Sequence, residues 1–192
     1  MFNINFGRKN QLSGAGVSID DRSIKLVVGL GNPGKEHNGT YHSVGSMFVD
    51  SLAEALAEKG SPKWRTLKFS SYLKSGGVIL AKPTTFMNQS GKAIVELSNF
   101  FKIEPDETLI VHDDSDIPLG KYKISFARGH AGHNGVKSIL ESVKTDGLLR
   151  LRIGIRSRLG KAGSFVLKKI NEEDLETLDR LFLEIETRHF EV

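Results

Sequence analysis

The sequence predicts a single α/β domain, a three-layer sandwich in which helices cover both faces of a mixed, twisted sheet. Apolar, β-branched runs alternate along the chain with segments whose apolar residues repeat at helical spacing. The chain has 192 residues, of which 39% are hydrophobic and 26% charged, as in one globular domain. No apolar run approaches the ~20 residues that a transmembrane helix needs.

The first elements are a buried strand and an amphipathic helix. Residues 24–30 (IKLVVGL) form a nearly continuous apolar run, which is typical of a strand buried on both faces. Residues 46–59 carry apolar side chains at helical spacing, and the Gly-Ser-Pro sequence at 60–62 ends this helix. Residues 64–82 predict two or three antiparallel strands that turn at the glycine pair 76–77.

The second half of the chain continues the alternation. The predicted elements are a helix over 90–101, strands over 107–112 and 122–126, a helix over 135–143, a strand over 149–155 and a helix over 172–186. Ser90 is a candidate N-cap for the first of these helices. The last helix is amphipathic, and its inward-facing residues are predicted to be Leu175, Leu178, Leu181, Phe182 and Ile185.

The folded domain is predicted to span residues 23–192. Residues 1–22 are polar and rich in Gly, Asn and Ser, so we expect a flexible N-terminal extension. This segment lacks the apolar core of a secretory signal. The chain contains no cysteine, which excludes disulfides, thiolate metal ligands and a cysteine nucleophile.

The formal charge of +4 is modest, but the basic residues are clustered. Lys121, Lys123 and Arg128 precede a glycine-histidine loop, and Arg150 and Arg152 alternate along a later strand and therefore share one face. Two interpretations stay open. The cations are either a solvated edge that discourages aggregation or a phosphate-binding patch for a nucleic acid.

Four polar clusters carry the candidate chemistry, and three of them follow an apolar, β-branched run. Ligands of open α/β sheets bind at the ends of strands, so we expect these clusters to meet. Together they offer what a hydrolytic site needs, namely a base, an orienting carboxylate and amide donors for an oxyanion. The clusters are GLGNPG at 29–34 with TYH at 40–42, FMN at 86–88, HDDSD at 112–116 and GHAGHNG at 129–135.

The first cluster has the G-x-G-x-x-G spacing of a dinucleotide-binding loop, but its context argues against that function. Pro33 and the polar residues 35–39 do not open a helix, so a pyrophosphate would lack the helix N-terminus that binds it. The better interpretation is a tight turn that holds Asn32 at the end of the strand. Its amide can donate to a carbonyl or to a phosphate.

His42 is a candidate general base, and Asp113 is its candidate partner. Histidine is the usual base near neutral pH, although a lone histidine is more often structural. A catalytic histidine needs a carboxylate on its other ring nitrogen, and Asp113 follows directly after the strand predicted over 107–112. The three carboxylates of this cluster also fit a turn, a helix cap or a divalent metal site.

The two remaining clusters have structural alternatives as well. Asn88 can cap a helix or bind a peptide backbone, and Met87 can belong to the core or pack against a ligand. The small residues around Asn134 would let a ligand approach the backbone. His130 and His133 have a spacing that suggests zinc, but no third ligand accompanies them, and a phosphate-binding loop is the milder alternative.

Taken together, the motifs closely resemble those of bacterial-type peptidyl-tRNA hydrolase. They occur in that family's order and spacing over roughly residues 24–185. The resemblance implies the family's α/β fold and hydrolysis of the ester between a peptide and the 3′ terminal ribose of tRNA. It also implies no metal or cofactor and a cytoplasmic monomer. The matching motifs are VGLGNPG at 28–34, KPTTFMNQSG at 82–91, HDDSDIPLG at 112–120, GHNG at 132–135 and LRIGI at 151–155.

The resemblance also implies roles for individual residues. His42 is expected to be the general base and Asp113 its orienting partner. The residues expected to bind the substrate or line the cleft are Asn32, His37, Met87, Asn88, His133 and Asn134. The residues expected to contact the RNA 3′ end and acceptor stem are Lys123, Lys137, Arg150 and Arg152.

Four positions differ from the usual family sequence and leave other functions open. The family commonly has arginine, asparagine and tyrosine where this chain has Tyr41, Ser43 and His37, and a basic residue where it has Ser125. A second hypothesis is therefore a catalytically weakened or inactive homologue that acts as an RNA-binding module. A third is an esterase or amidase for another aminoacyl or peptidyl ester.

Overall fold

A mixed seven-stranded sheet runs through the centre of the molecule, with the strand order β2-β3-β4-β1-β5-β7-β6. The structure is a computed structural model that describes residues 23–57, 60–126, 129–145, 147–156, 165–190 and 192. The strands are β1 Leu26–Gly29, β2 Arg65–Thr66, β3 Ser70–Ser75, β4 Val78–Pro83, β5 Thr108–Pro118, β6 Tyr122–Phe126 and β7 Leu149–Arg156. The helices are α1 Val44–Ala55, α2 Ser90–Phe101, α3 Asn134–Val143 and α4 Glu172–His189.

Helices cover both faces of the sheet, which confirms the predicted three-layer sandwich. Because successive side chains of a strand point to opposite faces, the apolar run of β1 supplies both layers. Val27 packs in the cluster that includes residues of α1 and α4, whereas Leu26 and Val28 pack in the cluster that includes residues of α2 and α3. A strand buried on both faces has to be apolar at every position, as the sequence indicated.

The sheet topology brings the polar clusters to one edge. β1 pairs in parallel with β4 and β5, and β5 pairs in parallel with β7. The carboxyl ends of β1, β4 and β5 therefore lie side by side. The segments that follow β1 and β4 carry Asn32 and Met87, whereas Asp113 and Asp116 lie in the last part of β5 itself. β6 returns antiparallel to β7 at the edge of the sheet.

The strand predicted over 107–112 is longer in the structure. It continues to Pro118, so Asp113 lies within β5, opposite Ile153 of β7, rather than after the strand. The sequence could not show this, because a run of polar residues normally marks the end of a buried strand. Here the carboxylates of Asp113 and Asp114 are satisfied by side chains from other elements.

Two smaller predictions were wrong. Ser90 is the first residue of α2 and does not cap it, because the 3₁₀ turn Met87–Gln89 leads directly into the helix. Leu175 is 37% exposed, whereas the other four residues predicted to face inward on α4 are buried. The predicted extension over residues 1–22 lies outside the described residues, as does Arg128. None of the described helices is long and apolar enough to span a membrane.

Candidate active site

One buried carboxylate at the centre of the site accepts hydrogen bonds from two histidines. Asp113 lies in β5, His42 in the 3₁₀ turn before α1, and His133 directly before α3. His42 Nδ1 lies 3.0 Å from both carboxylate oxygens of Asp113, and His133 Nε2 lies 3.0 Å from Asp113 Oδ1. The fold thus brings together the predicted base and carboxylate, which are far apart in the sequence.

The backbone of α3 fixes the tautomer of His133. The His133 ring caps the helix, and its Nδ1 accepts from the backbone N–H groups of Gly135 at 3.1 Å and Val136 at 3.3 Å. A nitrogen that accepts two hydrogen bonds cannot also carry the proton of a neutral imidazole. That proton is therefore on Nε2, which donates to Asp113.

Asp113 in turn fixes the tautomer of His42. Burial acts to raise the pKa of Asp113, but the electrostatic interaction with His133 and the hydrogen bonds from both histidines oppose it, and the pKa is well below its usual value. The ionised carboxylate can only accept, so the proton of neutral His42 is on Nδ1. His42 Nε2 then has a free lone pair on the cleft side, as a general base requires.

Close packing of α1 on the sheet places His42 at this position. A Cβ atom on Gly29 would lie 2.2 Å from the carbonyl oxygen of Gly45, and a Cβ atom on Gly45 would lie 2.3 Å from the carbonyl oxygen of Val111. Glycines at both positions let α1 approach β1 and β5. Gly29 of the first cluster therefore serves the packing of α1 on the sheet.

Amide side chains line the cleft on the other side of His42. Asn32 Oδ1 accepts from the backbone N–H of Met87 at 2.8 Å, which holds the carboxamide and leaves its NH₂ group to donate elsewhere. Asn88 and Asn134 line the same part of the cleft and are exposed. Met87 is 4% exposed, and a Cβ atom on Gly135 would lie 2.4 Å from its sulfur. This burial favours the structural role of Met87 over ligand packing.

The residues that differ from the usual family sequence are integrated into the loop around His42. The Ser43 hydroxyl is buried and donates to the carbonyl of His37 at 3.0 Å. The His37 ring packs edge-on against Phe86, with ring centroids 6.2 Å apart. The buried Tyr41 hydroxyl donates to Asp174 of α4. These contacts support the position of His42.

The predicted RNA-contacting cations lie on neighbouring strands and on α3, but they differ in exposure. Lys123 and Arg152 are directly opposite each other on β6 and β7, and Lys123 is exposed. Arg152 forms an ion pair with Asp114 at 2.7 Å. Lys137 is exposed on α3. Arg150 is only 2% exposed and donates to the carbonyl of Gly129 at 3.2 Å, so its guanidinium supports the glycine loop rather than an open surface.

The central cluster also has the composition of a metal site. The ligand atoms of His42, Asp113 and His133 lie within 4.8 Å of one another, and His130 is not among them. A metal on His133 Nε2 would require the ring proton to move to Nδ1, against two backbone N–H groups. The hydrogen-bonded arrangement of base and carboxylate therefore suits these residues better than metal coordination.

One buried histidine of the site received no role from the sequence. His112 precedes Asp113 and is 1% exposed, and its Nδ1 lies 2.7 Å from the carbonyl oxygen of Asp113. Its ring packs against that of His133. The only signal for His112 in the sequence was a histidine at the end of an otherwise apolar run, and this pattern alone does not indicate a role.

Comparisons with known proteins agree with this architecture. A family model described as peptidyl-tRNA hydrolase matches residues 26–189. A peptidyl-tRNA hydrolase of Teredinibacter turnerae is 42% identical over 164 residues, covering 81% of this chain and 83% of the relative. The chloroplastic peptidyl-tRNA hydrolase of Arabidopsis thaliana is 41% identical over 161 residues, covering 82% of this chain and 56% of the relative. The crystal structure of peptidyl-tRNA hydrolase from Acinetobacter baumannii has a TM-score of 0.71 and 34% identity, covering 86% of this chain and 88% of that one.

Proposed function

The chain belongs to the peptidyl-tRNA hydrolase family and hydrolyses peptidyl-tRNA, and from this premise we propose that His42 is the general base of the reaction. The observation that carries the proposal is the pair formed by His42 Nδ1 and the Asp113 carboxylate. It holds the imidazole in the tautomer whose Nε2 can take a proton in the cleft. No side-chain nucleophile is needed, since water is the second substrate.

The reaction follows from this arrangement. A water molecule attacks the ester carbonyl carbon while His42 Nε2 takes one of its protons. The resulting tetrahedral oxyanion needs a hydrogen-bond donor, and the Asn32 NH₂ group is our candidate because Met87 holds its oxygen. When the intermediate collapses, the bond to the ribose oxygen breaks and that oxygen takes the proton from His42. The products are tRNA and a peptide whose new carboxylic acid releases its proton to solvent and becomes a carboxylate.

The remaining site residues are proposed to bind the two ends of the substrate. Asn88 and Asn134 are placed to contact the peptide and the ester, with His37 and Met87 supporting that wall of the cleft. His133 is proposed to orient Asp113 through its Nε2–H and to cap α3 through its Nδ1. Lys123, Arg152 and Lys137 are proposed to contact phosphates of the 3′ end and acceptor stem, and Arg150 to position the glycine loop through Gly129. We further propose that the enzyme is a cytoplasmic monomer.

The RNA-binding alternative predicts a site that has lost its base or the group that orients it. The proposed base, His42, and its proposed orienting group, Asp113, are hydrogen-bonded to each other, and the hydrogen bonds of Tyr41 and Ser43 support the loop around His42. The family comparisons also give no support to a binding module or to an esterase with another substrate. Hydrolysis of peptidyl-tRNA is therefore the function that the site supports best.

The first test exchanges Asp113 for asparagine. In Asp113→Asn the amide can donate to His42 Nδ1, which favours the tautomer with the proton on Nε2 and removes the base. By analogy with the corresponding change in a serine protease triad, we expect the rate of tRNA release to fall by about 10⁴-fold. Asp179→Asn, the same exchange at an exposed position of α4, is the matched control and should retain the wild-type rate. Wild-type turnover by Asp113→Asn would contradict the proposed role.

A further inference from the structure

His112 is buried beside the proposed catalytic pair but cannot act on the substrate directly. It lies in β5 immediately before Asp113. Its side chain is 1% exposed, so neither water nor the ester can reach it. Any influence of His112 on the reaction has to pass through the residues that it touches.

Two contacts connect His112 to the catalytic carboxylate. Its Nδ1 lies 2.7 Å from the carbonyl oxygen of Asp113, and because a carbonyl only accepts, Nδ1 carries the proton and donates. Its ring also packs edge-on against His133, with centroids 4.7 Å apart and planes at 71°. One contact orients the backbone of Asp113, and the other supports the ring that donates to the Asp113 carboxylate.

The surroundings keep His112 neutral and leave one of its nitrogens unsatisfied. Burial lowers its pKa well below the usual value, and the electrostatic interactions with His133 and Arg150 act in the same direction against the opposing effect of Asp113. With the proton on Nδ1, Nε2 is an acceptor, and it has no hydrogen-bond partner among the residues that the structure describes. A buried acceptor without a partner is destabilising, so its presence in a native structure needs an explanation.

We propose that His112 is a positioning residue, whose Nδ1–H orients the Asp113 backbone while its ring holds His133 against the Asp113 carboxylate. This inference rests on the proposed roles of His42 and Asp113. The four residues then act in sequence: His112 and His133 fix Asp113, Asp113 fixes the His42 tautomer, and His42 takes the proton. If His112 only filled space, the site would require neither its Nδ1–H donor nor the contact of its ring with His133.

Two substitutions separate the two contacts. His112→Asn keeps a donor near the position of Nδ1 but removes the ring, and His112→Phe keeps a ring against His133 but removes the donor. We expect each variant to lower kcat by about 10- to 100-fold with little change in KM, as for residues that orient metal-binding histidines. His189→Asn is the control. It removes a second buried histidine, which lies at the end of α4 and forms a hydrogen bond with Tyr122 of β6. It should retain the wild-type kcat per folded molecule.

Nuclear magnetic resonance of isotope-labelled histidine provides a readout that does not depend on turnover. In the wild type we expect the proton on Nδ1 of His112 and on Nε2 of His133, with a changed His133 signal in both variants. Wild-type kcat in both folded variants, or a His112 proton on Nε2 in the wild type, would overturn the inference. The failure of the proposed function is a different result, namely undiminished hydrolysis by Asp113→Asn.

Discussion

At the scale of single residues, Asp113 determines what the site can do. It accepts from His42 and His133 at once, and each histidine has its other ring nitrogen in a different environment. In His133 that nitrogen caps α3, whereas in His42 it lies at the cleft. The same carboxylate therefore gives one histidine a structural role and leaves the other available as a base.

The lowered pKa of buried His112 predicts how stability depends on pH. Below its usual pKa of 6.5 the unfolded chain takes up a proton at this residue and the folded protein does not. The unfolded state then binds more protons, so the contribution of His112 is fully present above pH 6.5 and is lost as the pH falls below it. Urea unfolding from pH 7 to 5 should show a wild-type loss of up to about 1.4 kcal/mol per pH unit relative to His112→Phe. Parallel curves for the two proteins would contradict a neutral His112.

At the scale of elements, the turn that carries His42 is tied to the segment that precedes α4, which we call the 165–170 segment. The His42 N–H donates to the carbonyl of Val166 at 2.8 Å, and the Tyr41 N–H donates to that of Lys168 at 3.3 Å. The Tyr41 hydroxyl donates to Asp174 in the first turn of α4, and burial, with that carboxylate, raises the pKa of Tyr41 to about 12. α4 therefore helps to position the base although it contributes no residue to the cleft.

Removing the Tyr41 hydroxyl should loosen this connection. Tyr41→Phe keeps the ring contact with Phe165 but leaves the buried Asp174 carboxylate without this donor. We expect a loss of about 1–3 kcal/mol in the free energy of unfolding. Replacing Asp174 by asparagine in the Tyr41→Phe background should cost less than in the wild type, which a double-mutant cycle by urea unfolding measures. Strictly additive effects would show that the two side chains do not interact.

At the scale of the whole molecule, the candidate catalytic residues lie at one end of the sheet, while the helices pack on its two faces. The proposed catalytic pair lies near the carboxyl ends of the parallel strands β1 and β5, and ligands of such sheets bind at strand ends. Beyond it, β6 and β7 present Lys123 opposite Arg152, with Lys137 on α3 as a further cation. Amides that line the cleft, together with cations on the neighbouring strands and on α3, suit a substrate that is a peptide at one end and RNA at the other.

Binding of tRNA should therefore depend on salt through these cations. Each phosphate contact releases about one counterion, so Lys123→Gln should weaken tRNA binding and reduce the slope of log affinity against log salt by about 1. Lys74→Gln is the matched control, since Lys74 is exposed on β3 at the opposite edge of the sheet. Fluorescence anisotropy with labelled tRNA over a salt series measures both slopes. An unchanged slope for Lys123→Gln would remove this residue from the RNA surface.

The sequence predicted the layers from local patterns, and it predicted that His42 and Asp113 would meet from the chemistry of a histidine base and from the resemblance to a known family. The apolar run of β1 indicated burial on two faces, and His42 and Asp113 stood out as polar residues near strand ends. What it missed depends on long-range contacts. The polar end of β5 stays in the sheet because Arg152 and the histidines satisfy its carboxylates. In the same way, Arg150 is buried, and its guanidinium donates to the carbonyl of Gly129.

The most direct test of the central claim compares wild-type enzyme with His42→Ala in a single-turnover assay of tRNA release from peptidyl-tRNA. If His42 activates the water, release should slow by at least about 10²-fold, the usual contribution of a general base. Binding of tRNA should persist, because the cations and cleft amides remain. Release at the wild-type rate by a folded His42→Ala variant would contradict the account and place the base elsewhere.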